Sequence, residues 1–203
     1  MQIELYYTAH TRSVRPRWLL EELGAPYSLR LVDLFGGELN PVHPLGSVPA
    51  VRIDGETLIE SGAICHWLAD SFPEKNLAPA PAPADPRRAS YEQWMFFVPA
   101  TLEPPAFDIL MHTQILPEKK RVEAIVPYAT GRYHHVLKIL AEELDHTGYL
   151  MGEQFTAADI MMTSTLSWLP ELLEEYPTLL AYTQRATARP AYQRAIQAID
   201  EAA

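Results

Sequence analysis

A carboxylate and a hydroxyl are adjacent at Glu60 and Ser61, where the spacing of apolar residues indicates that a helix begins. Earlier in the chain, Val48 and Pro49 stand at the start of a short apolar stretch with the alternation of a strand. A proline turns the chain and removes one backbone donor. A carboxylate suits an ammonium group, and a hydroxyl at a helix N-terminus suits an anion. The same residues equally mark a strand edge at Pro49 and a helix cap at Ser61, and the rest of the sequence must decide between a binding and a structural role.

Charge and composition limit the partners of this chain. Its 203 residues carry a formal net charge of −10, which argues against nucleic acid or an anionic membrane as the main partner. Arg12, Arg15 and Arg17 form a local basic cluster that suits a small anion. Cys65 is the single cysteine, so no disulfide forms within the chain and a reducing compartment fits. No signal-peptide pattern or membrane-spanning apolar run is present, and we expect a soluble cytoplasmic protein.

Strand and helix patterns alternate in the first part of the chain. The predicted order is strand, helix, strand, short helix or loop, strand, strand and helix. Gly24 is typical of a helix C-terminus, Asp54 with Gly55 predicts a hairpin, and Ser61 is expected as an N-cap. The assigned segments are residues 3–7, 14–24, 27–34, 49–54, 57–60 and 61–72.

Alternating proline between Ala78 and Pro86 predicts a semi-rigid linker. We therefore expect one domain over residues 1–79, a linker over 80–85 and a second domain over 86–203. The second domain has helical spacing throughout and no strand pattern. Four prolines are expected to act on its helices, three by kinking or breaking the first helical segment and the last by kinking the second. They are Pro99, Pro104, Pro105 and Pro127.

Three motifs together resemble one known family. The motifs are GSVPAV, LIESGAICHWLAD and GEQFTAADIMM, which begin at residues 46, 58 and 152. Their order and placement are similar to those of cytosolic glutathione transferases, of a bacterial serine- or theta-like type, over essentially the full chain. The resemblance implies an α/β thioredoxin-like N-terminal domain and an all-α C-terminal domain. It also implies a homodimer that binds glutathione as co-substrate, uses no metal, and activates the glutathione thiolate for conjugation to small electrophiles.

The resemblance also implies which residues bind glutathione. Val48, before Pro49, matches the residue whose backbone N–H and C=O pair with the cysteinyl backbone of the ligand. Glu60 matches the partner of the γ-glutamyl ammonium group, and Ser61 that of its carboxylate. His43 lies in the segment that reaches the glycyl carboxylate, or is a solvated loop residue.

The residue that activates the thiol is expected in the loop after the first strand. Depending on where a gap is placed, this position falls on His10, Thr11, Arg12 or Ser13. We prefer the hydroxyl of Thr11, with that of Ser13 second, while Arg12 could stabilise a thiolate by its charge. The loop lacks cysteine, which argues against mixed-disulfide chemistry. Two further alternatives in the strand are Tyr6 and Tyr7.

An electrophile pocket is expected between the first loop and the first helices of the C-terminal domain. Its candidate lining residues are Phe97, Thr101, Phe107, Met111 and Trp168. The same residues would equally suit a hydrophobic core. A second function remains open, namely a glutathione-binding or regulatory protein that has this fold without catalysis.

Three other features are interpreted as structural. Cys65 lies on the apolar face of its predicted helix and is expected to be a buried, inert thiol. Thr156 to Asp159 resembles a capping box at a helix start. His134 and His135 are adjacent on a predicted helix and point in different directions, so no metal site is expected there.

Overall fold

The structure is a computed structural model, and it describes residues 1–34, 42–144 and 148–197. The chain forms two compact units. The first contains residues 1–80 together with the segment that begins at Thr187, and the second contains residues 81–186. The stretch predicted as a short helix or loop falls mainly on residues 35–41, which lie outside the described residues.

The first unit is built on a four-stranded sheet of order β2-β1-β3-β4. Its strands are β1 Ile3–Tyr7, β2 Ser28–Leu31, β3 Ala50–Ile53 and β4 Glu56–Ile59. β1 pairs parallel with β2 and antiparallel with β3, and β3 pairs antiparallel with β4. Asp54 and Gly55 turn the last pair at φ of 48° and 95°, as the sequence predicted for a hairpin.

Two helices of the same unit follow β1 and β4, and their apolar faces are buried. They are α1 Val14–Leu23 and α2 Ser61–Ser71. Gly24 ends α1 in the left-handed region at φ 62°, where a residue without a Cβ is favoured. Trp18 of α1 and Ile64 of α2 are fully buried, as is Leu5 of β1. This core holds the starts of both helices in place against the sheet.

The register of the sheet brings three chain segments to one edge. Tyr6 near the end of β1 is paired with Ala50 at the start of β3. Ala50 is paired in turn with Ile59 at the end of β4. Because antiparallel partners run in opposite directions, the loop after β1, the residues before β3 and the start of α2 all lie at this edge.

The helix α8, Pro190–Ile196, belongs to the first unit and packs on α1. Arg189, which precedes it, donates two hydrogen bonds to Glu22, at 2.6 and 2.7 Å. The rings of Trp18 and Tyr192 meet edge to face, with centroids 4.7 Å apart. The sequence had placed this segment with the helical domain. The limits 1–79 and 86–203 stay a prediction, and the packing of α8 on α1 is a contact that the sequence did not predict.

The second unit is helical. Its helices are α3 Arg88–Phe97, α4 Glu103–Leu110, α5 Ile125–Glu143, α6 Ala157–Leu166 and α7 Pro177–Thr187, the last of which ends at the unit boundary. Wide π-type turns at Val98–Leu102 and Met111–Ile115 precede and follow α4, so the proline-rich region stays helical. Pro127 lies in the first turn of α5, where its missing N–H would have no partner within the helix. Pro127 therefore lies at the start of a helix that continues to Glu143.

The predicted capping box at the start of α6 is present. The buried carboxylate of Asp159 accepts hydrogen bonds from the backbone N–H of Thr156 and of Leu150, each at 2.8 Å. It also accepts one from the hydroxyl of Tyr182 on α7 at 2.8 Å. This side chain thus joins the start of α6 to two other segments of the second unit, which confirms its structural role.

No helix within the three described ranges combines the length and the apolar character that crossing a membrane requires.

Candidate functional site

Val48 lies at the sheet edge where the three segments meet. The Val48–Pro49 peptide bond is cis. Val48 precedes β3 and is half-buried, while Pro49 is buried. In the described part of the chain, the backbone N–H and C=O of Val48 have no hydrogen-bond partner. Two backbone groups directly before β3 are therefore able to pair with the backbone of an extended ligand.

Glu60 stands at the N-cap of α2 in a backbone conformation that few residues adopt. Its φ and ψ are 73° and 113°, outside the usual regions for a residue with a Cβ. Its side chain is exposed and does not cap the helix. Among the residues that the structure describes, its carboxylate has no hydrogen-bond partner. A non-glycine residue held in such a conformation is typical of ligand sites.

Ser61 is the first residue of α2, which corrects its expected role as N-cap. Glu60 takes that position, and the Ser61 hydroxyl makes no capping hydrogen bond. Ser61 is buried, and its Oγ accepts a hydrogen bond of 3.0 Å from Nη1 of Arg15. The hydroxyl is therefore held by a side chain of α1 rather than by the backbone of its own helix.

The loop between β1 and α1 holds the hydroxyls of Thr11 and Ser13 in one small network. Oγ1 of Thr11 and Oγ of Ser13 are 2.7 Å apart, and each lies within hydrogen-bond distance of the carbonyl oxygen of Thr8, at 2.7 and 2.8 Å. The Ser13 oxygen also accepts from the Thr8 N–H at 3.1 Å. Ser13 is fully buried, whereas Thr11 is partly exposed. Of the two hydroxyls, that of Thr11 is the more accessible to a ligand.

The structure separates the three arginines of the predicted basic cluster. Arg12 is partly exposed in the loop. Arg15 is fully buried and reaches Ser61. Arg17 lies over the ring of Tyr7 at 4.8 Å and donates to the carbonyl oxygens of residues 194 and 197 around the end of α8. The Arg17 guanidinium therefore binds the end of α8, and the three arginines do not form a shared anion site.

The two tyrosines named as alternatives to the loop hydroxyls are both engaged in β1. Tyr6 is buried, and its hydroxyl donates to the carboxylate of Glu4 at 2.9 Å. Burial, with the hydrogen bond to Glu4, raises the pKa of Tyr6. Tyr7 is buried beneath Arg17. Neither contact favours these tyrosines over the loop hydroxyls as the group that activates the thiol.

His43 is buried and supports its own loop. Its Nδ1 accepts a hydrogen bond from the N–H of Leu45 at 3.1 Å, and its carbonyl oxygen accepts one from the N–H of Gly46 at 2.8 Å. With Nδ1 as acceptor, a neutral imidazole carries its proton on Nε2. That single N–H is the group that His43 can offer to a carboxylate.

The candidate residues of the electrophile pocket divide into separate places in the second unit. Phe107 of α4 and Trp168 after α6 lie together, with ring centroids 6.3 Å apart. Phe97 at the end of α3 instead contacts Trp94, with centroids 5.4 Å apart. All four side chains are half-buried. The structure therefore brings Phe107 and Trp168 into one apolar surface.

Thr101 lies elsewhere in this unit. It is exposed and lines an open groove of about 600 Å³. The other residues of this groove are Pro127, Tyr128, Gly131, Arg132, His135 and Val136. Met111, the remaining candidate, is half-buried in the π-type turn after α4 and does not line the groove.

The remaining candidates for chemistry are accounted for by packing. Cys65 is fully buried on α2, and burial raises the pKa of its thiol to about 12. Nδ1 of His134 lies 3.0 Å from the hydroxyl of Tyr176. Within the described ranges, no group of three or more His, Cys, Asp or Glu side chains is placed to hold a metal ion.

Two family models match this chain in the order of its two units. The model described as the N-terminal domain of glutathione S-transferase matches residues 11–71. The model described as the C-terminal domain of glutathione S-transferase matches residues 96–190. The first match contains α1, the strands β2 to β4 and α2, and the second contains the helices α4 to α7.

Named relatives agree with both models. Glutathione S-transferase GstA of Escherichia coli O157:H7 is 29% identical over 206 residues, covering 97% of this chain and 98% of the relative. Glutathione S-transferase 3 of Schizosaccharomyces pombe is 32% identical over 177 residues, covering 79% and 71%. A sphingomonad glutathione S-transferase, solved in complex with glutathione, is 27% identical with a TM-score of 0.85, covering 95% of this chain and 96% of that one.

These matches confirm the predicted fold class, in which a thioredoxin-like domain with a mixed sheet is combined with a helical domain. They also confirm the family that the three sequence motifs indicated. The assignment to a serine- or theta-like type stays a prediction. The chain belongs to the glutathione S-transferase family and is a glutathione transferase.

Proposed function

We propose that this protein binds glutathione at the sheet edge and conjugates it to small electrophiles. Val48 and Pro49 would hold the cysteinyl backbone of glutathione. Glu60 would bind the γ-glutamyl ammonium group, and Ser61 its carboxylate. His43 would offer its Nε2–H to the glycyl carboxylate.

One observation carries this proposal. The register of β1, β3 and β4 places the unpaired backbone of Val48 at the same edge as Glu60 and Ser61. The groups at this edge match a peptide that carries both an ammonium group and a carboxylate. The start of α2 adds the positive end of a helix dipole, which favours the carboxylate at Ser61. The sphingomonad transferase was solved in complex with glutathione, which supports the same ligand for this chain.

We propose that the loop of Thr11, Arg12 and Ser13 stabilises the glutathione thiolate. A free thiol has a pKa near 8.5, and lowering it by about two units requires about 2.7 kcal/mol of preferential stabilisation of the anion. A hydroxyl donor together with the N-terminal dipole of α1 is able to supply this. Thr11 is the preferred donor because it is the accessible hydroxyl. Ser13 would orient it, and Arg12 would add positive charge.

In the reaction that we propose, the thiolate sulfur forms a bond to an electrophilic carbon. The leaving group departs with the electron pair of its own bond, and the thiol proton has already passed to solvent. Phe107 and Trp168 form the apolar surface best suited to hold such an electrophile. Phe97, Thr101 and Met111 remain proposed contributors to electrophile binding.

We also propose a cytoplasmic homodimer with a role in detoxification. The single buried cysteine fits a reducing compartment. Several large apolar side chains in the described residues are exposed, among them Trp67 and Phe96, and a second copy of the chain would cover them. For the domain limits we propose residues 1–79, 80–85 and 86–203.

Calorimetric titration with glutathione, followed by an aryl-halide conjugation assay, tests the proposed function. We expect saturable binding and formation of the thioether product. Binding without conjugation would favour the alternative, a glutathione-binding protein without catalysis. Absence of binding would reject both. The named relatives reported above are transferases, which supports the enzyme over the alternative.

Light scattering at micromolar concentration tests the homodimer. We expect twice the mass of one chain. A mass equal to that of one chain would reject the dimer and leave the glutathione site to be tested by calorimetry.

A further inference from the structure

A fully buried guanidinium lies behind the proposed carboxylate site. Arg15, the second residue of α1, has no exposed surface, and its Nη1 donates to Oγ of Ser61 on α2 at 3.0 Å. Ser61 itself is 6% exposed. Burying a charged group is costly unless its interactions compensate for the lost water. A charge placed directly behind a residue of the ligand site therefore has a functional interpretation.

The chemistry of the two groups sets the direction of their hydrogen bond. A guanidinium carries only donors, so the Ser61 oxygen must accept from it. A hydroxyl has a single proton, and that proton is then left for another acceptor. Arg15 is the only hydrogen-bond partner of the Ser61 hydroxyl in the part of the chain that the structure describes. The Ser61 O–H is thereby kept as a donor to something outside the protein.

The position of Ser61 on its helix strengthens this argument. At an N-cap, its oxygen would accept from a backbone N–H of the same helix. It is instead the first helical residue, and it makes no capping hydrogen bond. The orientation of the Ser61 hydroxyl is therefore explained by Arg15 and by a ligand rather than by capping of α2.

We propose that Arg15 is a positioning residue for glutathione recognition. By occupying the acceptor side of Ser61, it directs the Ser61 O–H toward the γ-glutamyl carboxylate of glutathione. Its positive charge also favours an anion at that place. This inference rests on the proposed function, because it requires that Ser61 meets that carboxylate.

The test compares two ligands in calorimetry. One is glutathione, and the other is γ-aminobutyryl-cysteinyl-glycine, which differs only in lacking the γ-glutamyl carboxylate. The ratio of their dissociation constants measures recognition of the carboxylate, and a general loss of stability does not change it. The variants are Arg15→Gln, Arg15→Lys, Ser61→Ala and the double variant Arg15→Gln with Ser61→Ala.

The glutamine and lysine variants test the two roles of Arg15, which are to direct the Ser61 hydroxyl and to supply positive charge. A glutamine amide both donates and accepts, so it no longer fixes the direction of the Ser61 hydroxyl. A lysine has only donors and keeps the charge. Arg17→Gln is the matched control, because Arg17 is also buried on α1 but donates to the end of α8.

We expect the wild type to prefer glutathione by about 10- to 100-fold, the range of a charge-assisted hydrogen bond. Arg15→Gln and Ser61→Ala should each reduce this preference about tenfold, and the double variant should reduce it no further. Arg15→Lys should stay within about threefold of the wild type. Arg17→Gln should lower the melting temperature and leave the preference unchanged.

Two results would overturn the inference while leaving glutathione binding intact. One is that Arg15→Gln prefers glutathione over the analogue as strongly as the wild type does. The other is equal weakening of both ligands by Arg15→Gln with no dependence on Ser61. If Arg15→Gln does not fold, Arg15→Met, which removes the donors and the charge, is measured alone and with Ser61→Ala. A preference reduced by Arg15→Met only when Ser61 is present supports the inference. A wild-type preference in Arg15→Met, or a reduction that persists with Ser61→Ala, overturns it. A wild type that binds neither ligand would instead reject the proposed function.

Discussion

The hydroxyl oxygens of Thr11 and Ser13 lie 2.7 Å apart, and each lies within hydrogen-bond distance of the carbonyl oxygen of Thr8. Ser13 also accepts from the backbone N–H of Thr8, so its oxygen is part of the loop structure. The Thr11 oxygen likewise accepts from the backbone N–H of Ser13 at 3.2 Å, but Thr11 is partly exposed whereas Ser13 is fully buried. When the Ser13 hydroxyl donates to Thr11, the Thr11 proton is able to turn outward. The two hydroxyls therefore have different expected roles, Thr11 toward the ligand and Ser13 toward the loop.

Thr11→Ala is predicted to raise the pKa of the bound glutathione thiol and to leave glutathione affinity nearly unchanged. The hydroxyl interacts mainly with the anion, whereas the peptide is held by other residues. Loss of one such donor should cost about 2–4 kcal/mol in the chemical step, by analogy with oxyanion donors. Ultraviolet titration of the bound thiolate measures the pKa, and conjugation kinetics measure the step.

Ser13→Ala and Arg12→Ala are the comparison variants for this loop. Ser13→Ala should lower the free energy of unfolding by about 1–3 kcal/mol, because the Thr8 N–H loses its buried acceptor. A higher thiol pKa in Ser13→Ala alone would move the activating role to Ser13, and an effect confined to Arg12→Ala would mean activation by charge. If all three variants titrate like the wild type, the tyrosines of β1 become the next residues to test.

Glu60→Gln is predicted to weaken glutathione binding by about 1–2 kcal/mol, because the γ-glutamyl ammonium loses an opposite charge. The free energy of unfolding should change little, since the carboxylate has no hydrogen-bond partner among the described residues. Calorimetry gives the affinity and urea unfolding gives the stability. Glu56→Gln, also exposed but at the start of β4, is the matched control. Equal affinities in the two variants would remove Glu60 from the site.

Asp159→Asn is predicted to lower the free energy of unfolding by about 2–4 kcal/mol. One carboxylate oxygen would be replaced by an amide donor that faces the donors of Leu150, Thr156 or Tyr182. Urea unfolding measures the loss. Asp108→Asn on α4 is the control, because Asp108 is half-buried and its carboxylate has no hydrogen-bond partner within the described ranges. Equal stability of the two variants would contradict the structural role of Asp159.

Cys65 is predicted to reduce stability in alkaline solution. Burial raises the pKa of its thiol to about 12, whereas an unfolded thiol ionises near 8.5. Between these values the unfolded chain binds fewer protons than the folded chain, so the free energy of unfolding falls as pH rises. The stabilising contribution is complete below about pH 8.5 and is lost as the pH approaches 12.

Urea unfolding of the wild type and Cys65→Ala at pH 8, 9 and 10 measures this effect. From pH 9 to 10, the free energy of unfolding of the wild type should fall by about 1 kcal/mol relative to that of Cys65→Ala. As a control, a thiol reagent should label Cys65 only after denaturation. A difference that does not change with pH would show that the thiol ionises equally in both states.

The features that sequence predicted well depend on local signals. β1 spans Ile3–Tyr7 as its alternation predicted, and α1 ends at Gly24 because glycine adopts a positive φ readily. Asp54 with Gly55 specifies the hairpin turn in the same way. Each of these signals acts over a few neighbouring residues, so no knowledge of distant contacts was needed.

The features that sequence did not predict depend on contacts between distant segments. Nothing in the residues around Arg15 shows that its side chain ends at Ser61, 46 positions later. The N-cap expected at Ser61 was displaced by one residue for a related reason, because Glu60 takes an unusual conformation that no local pattern encodes. Similarly, the role of Thr11 depends on the exact placement of Ser13 and Thr8, which a sequence alignment with an uncertain gap cannot give.

The contact of α8 with α1 has a consequence for the way this chain is synthesised. Trp18 and Glu22 are made early, but their partners Tyr192 and Arg189 are among the last described residues to leave the ribosome. At about 5–20 residues per second, the interval is on the order of ten seconds. During that time the face of α1 that α8 will cover remains open to water or to a chaperone. The unit that is started first is therefore completed last, and a chain that stalls before α8 lacks the helix that covers α1, beside the proposed glutathione site.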